Sequence, residues 1–229
     1  MELQGKRIAI TGAFGALGAG VVQGAIAAGA RVAAIDRAPA PASLAPNVTG
    51  IGGVDLADEA AAKSAIDAAA KALGGLDGLV NIAGAFRWET LADGSLDTWD
   101  FLYRVNLRTA VAASKAAIPH LAAGGAGRIV NISAAGSIKA AAGMGAYAAS
   151  KSGVARLTEA LAEELKDRGI TVNAILPSTI DTAANRADMP KADFSRWVTP
   201  AQLSEVIVFL LSDRASAVTG ALLPVMGRV

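Results

Sequence analysis

The chain of 229 residues contains no cysteine and one histidine, His120, and only 4% of its residues are aromatic. Without cysteine it can form neither a disulfide nor a thiolate metal site, and one histidine cannot build a multi-histidine metal site, so we expect no metal. Strong charge is also lacking. The formal net charge is +1, and the basic residues are scattered rather than gathered into the stripe that a nucleic-acid backbone requires. We therefore expect no nucleic-acid partner.

A long apolar run that could span a membrane is lacking too. Residues 8–30 carry no charge, but six of these 23 residues are glycine, which makes the segment too weakly apolar to insert readily. The polar opening Met1–Arg7 has no apolar core of a secretory signal. We expect a cytoplasmic protein with no membrane partner. Because 53% of the residues are hydrophobic and no change of composition divides the chain, we expect a single domain over residues 1–229.

Short runs rich in valine and isoleucine alternate with alanine-rich stretches along the whole chain. Such runs are typical of strands buried on both faces of a parallel sheet; they lie at residues 7–10, 31–35, 79–82, 129–132, 171–176 and 221–225. The stretches between them favour helices, at about residues 16–28, 58–73, 97–121, 147–168 and 200–212. Alternation of strand and helix predicts an α/β fold, namely a Rossmann-type doubly wound parallel sheet. The proline-rich segment 38–46 is predicted to be a surface loop.

Three glycines follow the first predicted strand and open the first predicted helix. Gly12, Gly15 and Gly18 would allow the turn, close approach of the backbone to a pyrophosphate, and packing of the helix on the sheet. A tight turn that binds nothing is the alternative for this pattern taken alone. Asp36 ends the second strand about 20 residues downstream, where a carboxylate accepts hydrogen bonds from ribose hydroxyls and repels a 2′-phosphate. The pattern therefore predicts NAD(H), with NADP(H) left open by the adjacent Arg37.

Tyr147 and Lys151 stand four residues apart in a predicted helix. At this spacing a phenol and an ammonium share one helix face, with Cβ atoms about 5–6 Å apart. The positive charge would then favour ionisation of the phenol and lower its pKa. Tyr147 is therefore a candidate proton donor, and the alternative is a helix-start aromatic that only covers the core.

These motifs together resemble the short-chain dehydrogenase/reductase superfamily over essentially the full length of the chain. The resemblance is carried by Thr11-Gly-Ala-Phe-Gly-Ala-Leu-Gly18, Asp55-Leu56, Asn81-Ile-Ala-Gly84, Val105-Asn106-Leu107, Tyr147-Ala-Ala-Ser-Lys151 and Pro177-Ser-Thr-Ile-Asp-Thr182. The resemblance implies a nicotinamide-dependent oxidoreductase that acts on a small-molecule substrate. It also implies a set of cofactor-binding residues: Thr11, Gly12, Gly15, Leu17, Gly18, Asp36, Arg37, Asp55, Leu56, Asn81, Ala83, Gly84, Tyr147, Lys151, Pro177, Ile180 and Thr182.

The resemblance also implies catalytic roles. Tyr147 would exchange a proton with the substrate while the nicotinamide exchanges a hydride. Lys151 would bind the nicotinamide ribose and lower the tyrosine pKa, and Asn106 would support a water relay behind Lys151. One member of the family pattern is absent. Its catalytic serine is expected about thirteen residues before the tyrosine, where this chain has Ala134, and Ser133 lies one residue too early. Since consecutive strand residues point to opposite faces, Ser133 would need a bulge to reach the substrate.

The closing third resembles quinonoid dihydropteridine reductase, a member of the same superfamily that keeps the tyrosine and lysine but lacks the serine. The similar residues are Leu176–Thr182, Asn185-Arg186, Met189-Pro190, Ala192–Ser195, Trp197 and Thr199-Pro200. We expect residues 183–199 to form a loop over the nicotinamide that selects the substrate, with Phe194 and Trp197 in it. Phe86, Arg87 and Trp88 could approach the same pocket from the other side, although solvent-facing packing is a comparable interpretation for each aromatic.

Two further expectations follow. The small-residue helices near residues 106–119 and 147–166 permit close approach of helices, which favours a homodimer or a homotetramer. The substrate is a small carbonyl or alcohol, or a quinonoid ring. A function of another class also stays open, since a chain that has lost the serine could bind NAD(H) as a redox sensor without turning it over.

Overall fold

A computed structural model describes all residues from Met1 to Val229. It contains one seven-stranded sheet of order β3-β2-β1-β4-β5-β6-β7, in which every neighbouring pair is parallel. The strands are β1 (Arg7–Thr11), β2 (Arg31–Ile35), β3 (Val48–Ile51), β4 (Gly78–Asn81), β5 (Arg128–Ile132), β6 (Thr171–Pro177) and β7 (Leu222–Val225). The helices are α1 (Ala16–Ala27), α2 (Glu59–Leu73), α3 (Leu96–Leu102), α4 (Thr109–Ala123), α5 (Gly145–Leu165), α6 (Ala183–Asp188) and α7 (Pro200–Leu211). The predicted doubly wound α/β fold is confirmed.

The helices cover both faces of the sheet, and the alternation of strand residues divides the core into two halves. In β1, Ala9 packs with α2 and α4, whereas its neighbours Ile8 and Ile10 pack with α1 and α7. The same alternation runs through the central strands, so each face of the sheet is apolar. None of the helices combines the length and the apolarity that a bilayer span requires.

Local sequence explains where several helices begin and end. The Asp58 carboxylate accepts a hydrogen bond from the Ala61 amide at the start of α2, and Gly74 ends this helix in the left-handed conformation at φ 79°. Thr199 and Gln202 form a reciprocal capping box at the start of α7, where Pro200 occupies the first turn. These signals are short-range, and the boundaries expected for α2 and α7 agree with the structure to within a residue.

Three features differ from the expected elements. The edge strand β3 was not expected, because it is short, contains Gly50 and is only partly buried. The helix expected over residues 97–121 is interrupted by a π-helical turn at Tyr103–Arg108. Residues 183–199 do not form a plain loop, because they contain α6 and a 3₁₀ turn at Phe194–Arg196.

Candidate functional site

A cavity of about 660 Å³ opens at the carboxyl ends of the strands, beside the point where the strand order reverses around β1. This is where open α/β sheets bind ligands, and the volume is typical of a ligand pocket. All but four of the residues predicted for the site line it. They are Gly12, Gly15, Leu17, Gly18, Asp36, Arg37, Asp55, Leu56, Ala83, Gly84, Ser133, Tyr147, Lys151, Pro177 and Ile180.

Each glycine of the turn after β1 has a different steric requirement. Gly12 adopts φ +65°, and a Cβ atom there would lie 2.7 Å from the Ala83 nitrogen. A Cβ at Gly18 would overlap the Gly12 carbonyl oxygen, so this glycine lets α1 pack against the turn. At Gly15 a Cβ would meet only the Gly12 oxygen, at 3.5 Å, because this position is exposed at the cavity. At Gly12 and Gly18 the backbone is therefore packed against other protein atoms, whereas at Gly15 it is accessible from the cavity.

The amino end of α1 has the properties of an anion site. No side chain caps it, because the N-cap is Gly15, and its first turn contains no acidic residue. The first amides of a helix lack partners within the helix and carry the positive end of its dipole. This end can therefore hold a pyrophosphate.

Asp36 ties the glycine turn to the end of β2. One carboxylate oxygen accepts a hydrogen bond of 2.9 Å from the Phe14 amide, and the other accepts one of 2.9 Å from the Ala38 amide. The neighbouring Arg37 is exposed and makes no ion pair. Asp36 thus shapes the turn in addition to bringing a negative charge to the cavity.

Tyr147 and Lys151 lie on the first two turns of α5, and both line the cavity. The Lys151 ammonium is buried and donates a hydrogen bond of 2.8 Å to the Ile132 carbonyl at the end of β5. Burial lowers the Lys151 pKa to about 8. It raises the Tyr147 pKa to about 12, so the expected lowering of the tyrosine pKa is wrong for this structure. The cause is that desolvation penalises the phenolate.

Asn106 lies just behind the cavity wall, on the π-helical turn, and is buried. Its Oδ1 accepts from the Ala85 amide at 2.8 Å, and its Nδ2 donates to the Ser150 hydroxyl at 2.9 Å. Ser150 in turn donates to the Tyr147 carbonyl at 2.7 Å. A Cβ at Gly84 would lie 2.5 Å from the Asn106 oxygen and 3.4 Å from Lys151 Nζ. The glycine at position 84 therefore lets Asn106 and Lys151 come together.

Ser133 and Ala134 both reach the cavity wall. The Ser133 hydroxyl donates a hydrogen bond of 2.8 Å to the Lys151 carbonyl. Its proton is consequently engaged with α5 rather than directed at a substrate. Ala134, at the position expected for a catalytic serine, has no hydroxyl to donate.

Thr11, Asn81 and Thr182 also lie outside the cavity lining. The Thr11 hydroxyl accepts from the Ile82 and Ala83 amides and so joins the ends of β1 and β4. The Asn81 amide donates to Asn131 at 2.8 Å and to Ser114 at 3.0 Å, within the buried layer under α4. Thr182 caps α6 by accepting from the Asn185 amide at 3.2 Å. Hydrogen bonds within the protein therefore engage all three side chains, and the buried Asn81 Oδ1 alone among their polar atoms has no partner.

Residues 86–89 lie at the end of the cavity that contains Tyr147, and of these four only Phe86 lines it. The Phe86 ring contacts the Tyr147 ring edge to face, with centroids 4.9 Å apart. Trp88 Nε1 donates to the Ala142 carbonyl at 2.9 Å, and the Glu89 amide donates to the Gly143 carbonyl at 2.8 Å. The Arg87 guanidinium lies 3.9 Å from the centroid of the Phe101 ring. Of these residues, Phe86 and Phe101 line the cavity, and Arg87 and Trp88 do not.

The segment 183–199 lies beside the cavity rather than in its wall. Its base is closed by backbone pairing of Ile180 with Val198. The Phe194 and Trp197 rings pack on each other with centroids 4.8 Å apart, and Trp197 is buried. Neither ring lines the cavity.

Sequence reasoning did not name a further set of lining residues, some of which lie inside the motifs it used and others far from them in the chain. They are Phe14, Ala16, Ala38, Val54, Ala57, Ile82, Ala85, Phe101, Arg104, Val105, Thr109, Ile132 and Ser178. Arg104 has the most distinctive contact among them, an ion pair of 2.6 Å with Asp55. Its position two residues before Asn106 was the one available signal.

Comparison with known proteins agrees with this geometry. Residues 6–193 match the family model described as short chain dehydrogenase. The chain is 32% identical to 2-(S)-hydroxypropyl-CoM dehydrogenase 3 of Xanthobacter autotrophicus, over 99% of this chain and 97% of that protein. It is 34% identical to an inactive 2-(S)-hydroxypropyl-CoM dehydrogenase 2 of the same organism, over 90% of this chain and 98% of that protein.

A solved structure is also similar to this chain over nearly its whole length. The short chain dehydrogenase from Burkholderia cenocepacia, in complex with NADP, superposes with a TM-score of 0.84 and 32% identity, covering 99% of this chain and 98% of that one. The chain therefore belongs to the short-chain dehydrogenase/reductase superfamily and is an NAD(P)-dependent oxidoreductase of that family.

Proposed function

We propose that this protein transfers a hydride between NAD(H) and a small carbonyl or alcohol, or a quinonoid ring, with Tyr147 as the proton donor and acceptor. One observation carries the proposal. A single cavity runs from the glycine turn at Gly12–Gly18 to Tyr147 and Lys151, so a cofactor site and an acid–base pair share one space.

The residues present fit a dinucleotide. The open backbone at Gly15 and the uncapped amino end of α1 would hold the pyrophosphate. Asp36 would accept from the adenosine ribose hydroxyls, and Pro177 and Ile180 would border the nicotinamide. When bound in reduced form, the nicotinamide supplies the hydride.

Tyr147 would supply the proton in the reductive direction. Burial raises its pKa to about 12, so the phenol stays protonated across the neutral range and is available as an acid. Lys151 would place a positive charge behind it, since its pKa of about 8 keeps most of the ammonium protonated at pH 7. Asn106, through Ser150, and Ser133, through the Lys151 carbonyl, would hold the position of α5.

The missing hydroxyl at Ala134 favours a quinonoid ring over a simple ketone. A ketone in reduction develops negative charge on oxygen and gains from a second hydroxyl donor. Reduction of a quinonoid ring restores conjugation and depends less on that donor. The narrower form of this proposal is a quinonoid dihydropteridine reductase, supported by the resemblance of residues 176–200 to that enzyme.

NADH is the proposed physiological cofactor, because the Asp36 carboxylate would repel the 2′-phosphate of NADPH. Arg37 keeps NADPH possible, since it is exposed beside Asp36 without an ion-pair partner. Because a similar protein was crystallised with NADP, every assay should be run with both NADH and NADPH.

The experiment is NADH oxidation with a panel of ketones and quinonoid dihydropterins. Turnover that is faster with the quinonoid acceptors supports the proposal in full. Turnover limited to simple ketones would support the proposed hydride transfer and contradict the proposed preference for a quinonoid ring. A complete absence of turnover would contradict the proposal.

A catalytically silent NAD(H)-binding sensor is the second candidate, and the lack of a hydroxyl donor at Ala134 is the observation that favours it. One relative at 34% identity is described as inactive. Intact Tyr147 and Lys151 at the cavity wall argue for the enzyme. Tight NADH binding without turnover of any acceptor in the panel would select the sensor.

Two structural proposals accompany the function. The faces of α4 and α5 that carry small residues would pair two copies, giving a homodimer or homotetramer. Light scattering should therefore report a multiple of 22.9 kDa, and a monomer at micromolar concentration would reject the pairing. The segment 183–199 would close over bound nicotinamide, which faster proteolysis of this segment without NADH than with it would support.

A further inference from the structure

Phe86 places an apolar ring in the ligand cavity beside Tyr147. The ring lines the cavity and is 54% exposed, and it contacts the Tyr147 ring edge to face with centroids 4.9 Å apart. More than half of the side chain is therefore open to a ligand that reaches Tyr147. Exposed aromatic surface in a cavity of this kind binds the apolar part of a ligand.

The backbone just before Phe86 is fixed by Asn106. The Ala85 amide donates to Asn106 Oδ1 at 2.8 Å, and Asn106 Nδ2 donates to the Ala85 carbonyl at 3.1 Å. Asn106 is buried, so this paired contact ties the chain at position 85 to the interior. The ring of the next residue starts from a fixed point.

The backbone just after Phe86 is fixed by the segment that leads into α5. Trp88 Nε1 donates to the Ala142 carbonyl, and the Glu89 amide donates to the Gly143 carbonyl. Gly143 adopts φ +73°, and a Cβ atom there would overlap the Trp88 ring. Glycine at position 143 therefore lets the two segments close on each other. With hydrogen bonds on both sides, Phe86 is held in position before any ligand arrives, which lowers the entropy cost of binding.

The cavity offers a ligand one free hydroxyl group. Four of its lining residues carry hydroxyls, and three of these donate to backbone carbonyl oxygens within the protein: Thr109 to Val105, Ser133 to Lys151 and Ser178 to Met226. Tyr147 is the fourth, so its hydroxyl is the donor left for a carbonyl oxygen. The site beside it thus combines a single hydroxyl donor with an aromatic wall.

We propose that Phe86 is a substrate-specificity residue, whose ring packs against a flat, unsaturated ring conjugated to the substrate's carbonyl while the carbonyl oxygen accepts a hydrogen bond from Tyr147. The inference rests on the proposed hydride transfer and narrows its substrate class to carbonyl compounds of aromatic or quinonoid rings. Aromatic rings attract each other beyond the effect of buried area, because the negative face of one meets the positive edge of the other. A saturated ring lacks this attraction.

The test measures binding of two ketones to the protein saturated with NAD⁺. This oxidised cofactor has no hydride to give, so the ketones bind without reacting. Acetophenone and cyclohexyl methyl ketone have the same number of carbon atoms, but only the first has an aromatic ring. Calorimetric titration should show acetophenone binding about two- to tenfold more tightly, the effect of one aromatic pair. General hydrophobicity would favour the saturated ring instead, because it has the larger apolar surface.

Three variants identify the source of this preference. Phe86→Leu keeps an apolar side chain but removes the ring, and it should abolish the preference for acetophenone. Phe86→Tyr keeps an aromatic ring and should retain the preference. Phe209→Leu is the matched control, since Phe209 is partly buried on α7 and does not line the cavity. It should leave the preference unchanged.

The outcomes separate this inference from the proposed function. If Phe86→Leu weakens both ketones equally, Phe86 only supports the Tyr147 ring, and the inference is overturned while the hydride transfer is unaffected. A wild type that binds NAD⁺ but shows no preference for acetophenone overturns it as well. If wild type does not bind NAD⁺, the proposed function fails together with the inference. Loss of the preference in Phe86→Leu, and its retention in Phe86→Tyr and Phe209→Leu, supports the inference.

Discussion

Ser133 donates its hydroxyl proton to the carbonyl oxygen of Lys151 at 2.8 Å, while the Lys151 ammonium donates to the carbonyl of Ile132, the residue before Ser133, at 2.8 Å. This reciprocal pair joins the end of β5 to α5. The hydroxyl adjacent to the expected serine position thus supports the helix that carries Tyr147, and the nearby Ser137 hydroxyl donates to the Ala134 carbonyl at 2.7 Å. The adjacent Ala134 leaves that wall of the cavity without a donor.

The first prediction concerns these two neighbours. Ser133→Ala should lower the free energy of unfolding by about 1 kcal/mol, because one buried hydrogen bond is lost, and should reduce turnover only slightly. Ala134→Ser should raise ketone reduction roughly 10- to 100-fold, since it restores a donor at the developing oxyanion, with a smaller gain for a quinonoid acceptor. Chemical denaturation and steady-state kinetics measure the two effects. Efficient ketone reduction by wild type that Ser133→Ala abolishes would make Ser133 the catalytic serine instead.

The second prediction follows from the burial of Lys151. Its pKa is about 8 in the folded protein and 10.5 as the ordinary value. Between these values the unfolded chain holds a proton that the folded chain has released, so the free energy of unfolding rises with pH in this window. The stability of wild type relative to Lys151→Met should therefore increase from pH 8 toward pH 10. Denaturant titrations at several pH values provide the measurement, and a constant difference would mean that folding does not lower the Lys151 pKa.

The third prediction concerns Asp36. Wild type should bind NADH more tightly than NADPH, and Asp36→Asn should narrow the ratio of their dissociation constants roughly tenfold by removing like-charge repulsion. Asp36→Ala should narrow the ratio too. It should also weaken both cofactors, because the Phe14 and Ala38 amides lose their acceptor. Fluorescence titration with each cofactor gives the ratios. If wild type binds NADPH as tightly as NADH, attraction of the 2′-phosphate to Arg37 outweighs its repulsion by Asp36.

The fold could be predicted because its signals are local. The strand β5 is rich in isoleucine and valine and buried along its whole length, and the turn at Gly12–Gly18 has its glycines where sterics require them. Other features depend on contacts between distant residues. The strand β3 is defined by pairing with β2 rather than by its own composition, and the π-helical turn that aims Arg104 at Asp55 has no short-range signal.

The site shows the same division. The positions of Tyr147 and Lys151 on one helix follow from their spacing, whereas their pKa values follow from burial that only the assembled fold creates. Thr182 lines up with a cofactor-binding position in the sequence, yet it serves as the cap of a helix that was not expected. Spacing therefore predicts which residues meet, and burial decides their chemistry.

The central claim is that Tyr147 is the proton donor. Tyr147→Phe keeps the ring that packs on Phe86 and removes only the hydroxyl, so folding and NADH binding should remain close to wild type. Tyr103→Phe is the matched control, because Tyr103 is the only other tyrosine, is exposed and does not line the cavity. It should leave turnover unchanged.

The most direct measurement is kcat for NADH oxidation by wild type and these two variants, with the best acceptor of the panel. We predict that Tyr147→Phe lowers kcat by roughly 10²- to 10⁴-fold, the range for loss of a general acid, at an NADH dissociation constant close to that of wild type. A Tyr147→Phe variant that turns over every accepted substrate as fast as the Tyr103→Phe control would contradict the account.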